Sequence, residues 1–516
     1  MIRNKKILIY SLFFFSIYCA LIIGESWDEW YYTGLGKRNL IYLFTLGRIE
    51  PYYGDSNSFS SLYWNLQYFF SQLVNYKYQT EINHLINLLF SFSAIFAFSK
   101  IGKQLFNKKI SEIFFLLLFF YPAFFGHMGQ NPKDTILVFC HLWIFSLILN
   151  YLKNQNVKEK STKYIYYISI LIATGTGIQL YFPASLLIII FFVLIEILFL
   201  KKFINEKFDK IKFCCDLIKI FLFSFIIYIF FAPDTHGNIL YKPYLFFLKS
   251  FEAQRGGAYT LINGFIFLSR DPPKLYFYEY FLYKSPEFIL FLYIVFLVLF
   301  LKINKFYHRT INNYFYKLII IIGLMLYPLI TMLIIPFGVY DGMRLFLWVL
   351  PYFMVIPGIT VYFLIKNINS HFFYKILTFI SLILFFFYLI KFFSYTPYQY
   401  SYFNIFSGEK VEEKFEKDYW GVSLKEIIKK NKDLFVREDL RLSTCGVSND
   451  IVTKYIKLYT SKNIELVDPA KSNYIIMTNR VVNAEATCFQ FYKGKNISEI
   501  KRDNKSLSLI RHINHE

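Results

Sequence analysis

An adjacent pair of acidic residues, Asp28 and Glu29, follows the first apolar run of the chain in the segment ESWDEWYY, positions 25–32. A carboxylate can accept the proton of an attacking hydroxyl group, so the pair could supply a general base. Tryptophan and tyrosine also gather at membrane interfaces with no catalytic role. From composition alone, the segment is either a catalytic site or an ordinary aromatic belt.

A second polar segment is FFGHMGQNPKDTI, positions 124–136, which combines His127, Asn131, Lys133 and Asp134. Its Asn-Pro step is also a common way to begin a helix, and an acidic residue in the first turn favours the helix dipole. The segment is therefore either a site of paired charges or a polar turn before a helix.

Two further segments add cations. FGVYDGMRLFLW, positions 337–348, contains Asp341 and Arg344, and Lys284 ends a long polar stretch from 233 to 284. Arginine holds phosphate esters through paired donors that are always charged. It can also extend its charge from a membrane boundary to lipid headgroups.

Together these carboxylates and cations suit a reaction in which a lipid-borne phosphate leaves and a hydroxyl group attacks. A transporter more often places ionisable residues midway through its spans. The clearest such residue is Glu196, which lies close to the end of an apolar run. The pattern favours an enzyme whose chemistry lies on one membrane face.

The elements that must position these residues are apolar helices. Hydrophobic residues make up 56% and aromatic residues 22% of the 516 residues, which excludes ordinary cytosolic enzymes, fibres and disordered scaffolds. Apolar runs of bilayer-spanning length predict a mainly α-helical, polytopic membrane protein with about eleven transmembrane helices. These runs lie near 7–24, 83–99, 110–125, 135–152, 164–181, 183–200, 216–232, 285–301, 317–336, 345–365 and 374–393. The first is interpreted as an uncleaved anchor.

Basic residues predict the orientation. Lysine and arginine crowd the N-terminus and the loops near 100–109, 153–163, 201–212 and 302–317, with Lys366 and Lys375 at the next such loop. Eleven alternating helices place all of these on one side, which the positive-inside tendency makes cytoplasmic. The net charge of +21 then indicates orientation and anionic lipid, with no nucleic-acid partner.

The sequence divides into a transmembrane part, 1–393, and a small soluble α/β domain, 394–516, on the periplasmic side of an inner membrane. Helical spacing appears at 421–433 and 450–459. Strand-like runs appear at 440–445, 464–467, 473–477 and 488–492.

Several segments, in this order, resemble a bacterial subgroup of the GT-C membrane glycosyltransferases, in the protein O-mannosyltransferase and aminoarabinose-transferase branch. They are the acidic pair, EINHLINLLF (81–90), the GH…NPKD segment (126–134), YDGMRLFLWVLP (340–351), PYQYSYFN (397–404) and DYWGVSLKE (418–426). The last two introduce the extra outer domain of that subgroup.

The resemblance implies transfer of a sugar from a polyprenyl-phosphate-linked donor, with inversion, to a glycan, lipid or protein acceptor. Asp28 would be the base with Glu29 as its neighbour, and Asp134 would match the second acidic position. Arg344 would hold the donor phosphate, assisted by Lys133 and Lys284.

The chain departs from the family pattern where Leu345 follows Arg344, because a histidine is expected there. Four other residues are candidates for polar support: His84, His127, Asn131 and Asp341. Some relatives use a divalent cation, yet no complete metal site is evident in the sequence. No cofactor is otherwise implied.

Of six cysteines, Cys445 and Cys488 lie in the polar C-terminal region and could form a disulfide in an oxidising compartment. The DYWGVS segment would either bind acceptor glycan or dock the outer domain, and docking is favoured. Two other functions remain open: a transporter or lipid flippase, and a non-catalytic anchor that presents 394–516 to a partner.

Overall fold

The structure, a computed structural model, describes residues 2–49, 59–252, 258–334 and 338–513. It is mainly α-helical. The helices of seven or more residues are Ile2–Ile22, Glu29–Phe44, Leu62–Ser71, Gln79–Leu105, Lys108–Phe119, Asp134–Asn154, Lys158–Ile178, Leu187–Ile195, Lys210–Phe230, Tyr241–Glu252, Tyr276–Lys284, Glu287–Val298, Phe300–Thr310, Tyr314–Ile334, Val355–Asn367, Phe372–Ser394, Leu424–Lys430 and Asn449–Thr460.

Within the described residues, seven helices are long and apolar enough to cross a bilayer, and a bent pair would make eight. The bent pair joins Tyr276–Lys284 to Glu287–Val298 at 110°. The other predicted spans, 110–125, 164–181 and 183–200, fall on Lys108–Phe119, Lys158–Ile178 and Leu187–Ile195. Lys108–Phe119 and Leu187–Ile195 are short, and Lys158–Ile178 begins with a charged turn. The predicted eleven spans therefore exceed the number of described helices that are both long enough and apolar enough to cross a bilayer.

The helices pack closely around aromatic side chains. Phe114 stacks on Phe98 with ring centroids 5.0 Å apart. A Cβ atom at Gly102 would lie 2.6 Å from the Phe114 ring, and one at Gly358 would lie 2.5 Å from it. Glycine at these two positions therefore lets three helices approach one buried ring, because any larger residue would clash.

A hairpin pairs β1 (Tyr259–Ile262) with β2 (Phe265–Leu268). The C-terminal region contains a separate four-stranded sheet, whose strands are β3 (Leu442–Cys445), β4 (Tyr474–Thr478), β5 (Lys495–Arg502) and β6 (Lys505–His512). Their order in the sheet is β3-β4-β6-β5. β3 and β4 are parallel, whereas β6 is antiparallel to both of its neighbours. The predicted helices are present at Leu424–Lys430 and Asn449–Thr460.

Two predicted strands are wrong. Residues 464–467 have no regular structure, and Cys488–Phe491 is a short helix with a capping box at Thr487. The β5–β6 hairpin was not predicted, since β5 is largely exposed and its polar sequence KNISEIKR lacks a continuous apolar face. Turn residues Asp503 and Asn504, both with positive φ, close the hairpin.

Candidate active site

Three aspartates converge on the guanidinium of Arg344. Its Nη1 lies 3.4 Å from Asp134 Oδ2 and 3.7 Å from Asp28 Oδ2, and its Nη2 lies 3.0 Å from Asp341 Oδ2. The arginine side chain is only 2% exposed, whereas that of Asp28 is 32% exposed. Asp28 is therefore the carboxylate of this group that solvent or a substrate can reach.

The local structure explains how each aspartate reaches the cluster. Asp28 immediately precedes the helix Glu29–Phe44, and Asp134 is the first residue of Asp134–Asn154. Asp341 adopts the left-handed backbone conformation with φ +57°, followed by Gly342 with φ +67°. Aspartate and glycine tolerate this conformation better than most residues, so the tight turn can bring Asp341 back toward Arg344.

Asn131 fixes the turn that precedes Asp134. Its Oδ1 accepts hydrogen bonds from the backbone N–H groups of Lys133 (3.2 Å) and Asp134 (2.8 Å), while its Nδ2 donates to Asp134 Oδ2 at 3.0 Å. Asn87 Nδ2 donates to the Asn131 carbonyl at 3.1 Å. Asn131 therefore supports the site by orienting a carboxylate.

A second arginine comes from the C-terminal region. Arg480 Nη2 lies 3.1 Å from Asp341 Oδ1, so Asp341 bridges Arg480 and Arg344. Arg480 Nη1 donates to the Tyr419 carbonyl at 2.6 Å. Arg480 was not predicted, because a single arginine after a strand gives no signal in the sequence.

Aromatic rings enclose both guanidiniums. The Arg344 Cζ lies 4.8 Å from the Tyr340 ring centre and 4.9 Å from that of Trp420, and the Arg480 Cζ lies 4.9 Å from that of Trp27. Such cation–π contacts hold a guanidinium in place without neutralising it.

The segment that leads to Asp28 is bound to the C-terminal region. The backbone N–H groups of Gly24 and Trp27 donate to the carbonyls of Val422 and Trp420, both at 3.1 Å. Asp418, which begins the DYWGVS segment, accepts from the N–H groups of Val422 and Ser423 and from the Tyr400 hydroxyl. Among the described contacts, the segment thus acts in docking.

Glu29 and His84 form a separate buried pair. Glu29 Oε1 lies 3.0 Å from His84 Nε2, and its Oε2 accepts from the Ser26 N–H at 2.5 Å. His84 Nδ1 is 2.9 Å from the Ala20 carbonyl. This pair links two helices and the approach to Asp28, next to the three-aspartate cluster.

His127 lies between the membrane part and the C-terminal region. Its Nδ1 is 2.6 Å from the Ala123 carbonyl, and its Nε2 is 2.9 Å from the Tyr419 hydroxyl. Burial lowers the pKa of His127 to about 3. The imidazole is therefore neutral near pH 7 and adds no positive charge to the site.

The two predicted lysines are both buried. The Lys284 ammonium donates to the Tyr400 carbonyl at 2.6 Å and lies 4.3 Å from the centre of the Phe403 ring. The Lys133 ammonium lies 5.3 Å from the ring centre of Phe59. Lys284 thus ties the helix Tyr276–Lys284 to the C-terminal region.

A buried glutamate lies beside the second arginine. Glu416 Oε1 accepts from the Val481 N–H at 3.0 Å, next to Arg480. Burial raises the pKa of Glu416 to about 7, and the charge of Arg480 opposes that rise. The carboxyl group is therefore poised between its two protonation states near neutral pH.

Cys445 and Cys488 form a disulfide, with an S–S distance of 2.06 Å. The Cys488 N–H donates to the Arg480 carbonyl at 2.8 Å. Within the described ranges, no group of three or more His, Cys, Asp or Glu side chains is arranged to hold a metal ion.

No protein-family model and no curated protein matches the sequence. Solved structures do match the fold. ArnT from Cupriavidus metallidurans in the apo state aligns with a TM-score of 0.53 at 9% identity, over 98% of both chains. The same enzyme bound to undecaprenyl phosphate aligns with a TM-score of 0.52 at 9% identity, again over 98% of both chains. The likeness extends over the membrane helices and the C-terminal region together, and it confirms the fold expected from the sequence: the chain has the GT-C fold.

Proposed function

We propose that this protein is an inverting membrane glycosyltransferase that uses a polyprenyl-phosphate-linked sugar. The observation that carries the proposal is the convergence of Asp28, Asp134 and Asp341 on Arg344. Residues far apart in the sequence form one charged site there, and its most exposed carboxylate, that of Asp28, lies six residues after the first membrane helix, Ile2–Ile22. The fold shared with ArnT supports the same class of reaction.

In the proposed reaction, Asp28 accepts the proton of the acceptor hydroxyl as the acceptor oxygen bonds to the anomeric carbon of the sugar. The bond between that carbon and the phosphate oxygen breaks at the same time, and polyprenyl phosphate leaves with the electron pair. The buried Arg344 partly offsets the charge of the three carboxylates and so reduces their repulsion of the departing phosphate. Asp134 and Asp341 hold Arg344 in position.

An apolar cavity supports a lipid-borne donor. It has a volume of about 370 Å³ and lies between the helices Asp134–Asn154, Lys158–Ile178, Leu187–Ile195 and Lys210–Phe230. An isoprenoid chain is wholly apolar, so such a cavity would hold part of it. ArnT has been solved with undecaprenyl phosphate, which supports a donor of this class here.

Hydrogen bonds link the wall of the cavity to the segment that carries Asp134. Thr176 lines the cavity, and the carbonyl of the next residue, Gly177, accepts from the Ser60 N–H at 2.9 Å. Four residues after Ser60, Trp64 Nε1 donates to the Pro132 carbonyl at 3.0 Å, two residues before Asp134. We therefore propose that the phosphate of a lipid in the cavity lies on the side of the aspartates.

The proposed orientation places the site and the C-terminal region, 394–516, on the periplasmic face of an inner membrane. The lysine-rich loops would then be cytoplasmic. The acceptor would be a glycan, a lipid or a protein that approaches from the periplasmic side. Glu196, the residue that could have suggested transport, accepts from the N–H groups of Lys202 (2.9 Å) and Phe203 (2.7 Å), which is the behaviour of a residue at a helix end.

The test is transfer by purified protein incubated with a panel of polyprenyl-phosphate sugars, followed by release of polyprenyl phosphate. Asp28→Asn should abolish release without lowering the thermal-unfolding midpoint. Asp271→Asn, which removes an exposed carboxylate from a loop, is the matched control and should keep full activity. Normal turnover by the Asp28 variant would show that the base is assigned wrongly.

A further inference from the structure

Arg344 and Arg480 differ in how their guanidiniums are surrounded. Among the described residues, three carboxylates lie within 3.7 Å of Arg344, whereas one, that of Asp341, is in direct contact with Arg480 at 3.1 Å. The Arg344 side chain is 2% exposed and that of Arg480 is 19% exposed. A phosphate in direct contact with Arg344 would also meet three negative charges, which makes such contact unfavourable. Arg480 is the more accessible cation, and only Asp341 among the described carboxylates is in direct contact with it, while Glu416 and Asp28 act on it from farther away.

We infer that Arg480 makes the direct contact with the phosphate of the donor, and that the C-terminal region thereby supplies part of the substrate site. This inference rests on the proposed function. Arginine suits the role because its planar group can bind two phosphate oxygens at once. Arg344 then acts through its field, as the fixed counter-charge to the aspartates.

The backbone around Arg480 is built to hold that position. Asn479 Nδ2 donates to the carbonyls of Glu412 (2.8 Å) and Phe415 (3.0 Å). On the other side, the Val481 N–H donates to Glu416 Oε1 at 3.0 Å. Three successive residues after strand β4 are therefore fixed, with the arginine between two anchors.

The disulfide adds a further restraint. Cys488, which is bonded to Cys445, donates its N–H to the Arg480 carbonyl at 2.8 Å. Gly446 has φ +65°, and a Cβ atom there would lie 2.7 Å from the Arg480 Cβ. The residues next to the disulfide thus pack directly against the arginine, which reduces the entropy lost when the side chain binds an anion.

The side chain also lies next to the proposed base. The Arg480 Cζ is 4.9 Å from the ring centre of Trp27, the residue before Asp28. A phosphate held by Arg480 would therefore be close to the carboxylate that activates the acceptor. Displacement at the anomeric carbon needs the base and the leaving phosphate near one carbon atom, and a phosphate on Arg480 would meet that need.

The test measures equilibrium binding of a polyprenyl phosphate and of the matching uncharged polyprenol to the full-length protein in detergent micelles. Wild-type protein should prefer the phosphate. Arg480→Gln should weaken phosphate binding by about ten- to a hundredfold, as expected for loss of charge-assisted hydrogen bonds, with polyprenol binding unchanged. Arg480→Lys, which keeps the charge but loses the planar group, should give an intermediate loss.

Arg502→Gln is the matched control. Arg502 lies in the same region, its side chain is also 19% exposed, it pairs with one carboxylate, Glu426, at 2.7 Å, and it stacks 4.8 Å from the Tyr398 ring centre. This variant should bind both lipids as the wild type does.

These measurements test the proposed function and the role of Arg480 separately. Equal binding of both lipids by wild-type protein would count against the proposed function itself. A wild-type preference that survives unchanged in Arg480→Gln would overturn only the role of Arg480, as would equal weakening of both lipids, which indicates structural damage. If the glutamine variant does not fold, the lysine variant decides: an unchanged preference for phosphate overturns the inference.

Discussion

Removal of the Arg344 charge should strongly destabilise the protein. In Arg344→Gln, Asp341 keeps its contact with Arg480, and Asp28 is exposed enough for water to solvate it. Asp134, whose side chain is 4% exposed, loses its cation. Breaking a buried ion pair by removing one partner typically costs about 3–5 kcal/mol, and we expect a loss of that size in the free energy of unfolding.

A second substitution tests the cause. Asp134→Asn removes the buried charge and keeps a side chain of the same shape, so the Arg344→Gln/Asp134→Asn protein should regain part of the stability. For residues in direct contact, the coupling free energy should be about 1–3 kcal/mol. The measurement is equilibrium denaturation in detergent micelles, followed by tryptophan fluorescence.

Lys163→Gln provides the control. Lys163 and Glu159 form an ion pair at 2.7 Å, but their side chains are 62% and 80% exposed, so no measurable change is expected. The reasoning would be refuted if Arg344→Gln were as stable as the control. It would also fail if the effects of the two substitutions in the double variant were simply additive.

Three other results are expected. Because the pKa of Glu416 in the folded protein is raised from 4.5 to about 7, the folded state binds that proton more tightly, and the free energy of unfolding should fall as pH rises through this interval. The thermal midpoint of Glu416→Gln should not show this fall. Identical pH profiles of the variant and the wild type would contradict the assignment. Cys445→Ser/Cys488→Ser should lower the free energy of unfolding by about 2–4 kcal/mol and weaken donor binding, since the disulfide restrains the backbone at Cys488, whose N–H donates to the Arg480 carbonyl. Unchanged binding would separate the disulfide from the site. Chelation with EDTA should leave sugar transfer unaffected, because the Arg344 guanidinium already provides the positive charge between the aspartates. If EDTA abolished transfer and a divalent cation restored it, this expectation would be wrong.

The convergence of distant charges could be predicted because membrane helices alternate in direction. Asp28, Asp134 and Arg344 each lie next to the same kind of boundary, between an apolar helix and a segment that the basic loops predict to be outer. Once the spans are placed, these residues must share one end of the bundle. The distances between them are what the structure adds.

The separate environments of Asp28 and Glu29 could not be predicted from their adjacency. Successive residues at a helix start point in directions about 100° apart, so the two carboxylates do not face the same partner. Asp28 reaches Arg344, and Glu29 reaches His84. The sequence shows an acidic pair, whereas the folded protein has two carboxylates in different environments.

Arg480 reaches the site only because the C-terminal region packs against the membrane helices. Its local sequence, TNRVV, has neither the periodicity nor the spacing of a site. The β5–β6 hairpin was missed because β5 has no continuous apolar face, although β6 alternates serine with leucine over 506–509 directly after an Asp-Asn turn. The position of Arg480 in the site and the pairing of β5 with β6 both depend on tertiary contacts.

The backbone pairing of Gly24 and Trp27 with residues 420–422 has a consequence for biosynthesis. The first membrane helix leaves the ribosome hundreds of residues before segment 420–422, which binds the backbone that follows this helix. Asp28 therefore lacks its final neighbours until nearly the whole polypeptide has been made. A truncated nascent chain that stops before Arg480 would lack the second arginine that contacts Asp341, so premature termination leaves this cluster of charges incomplete.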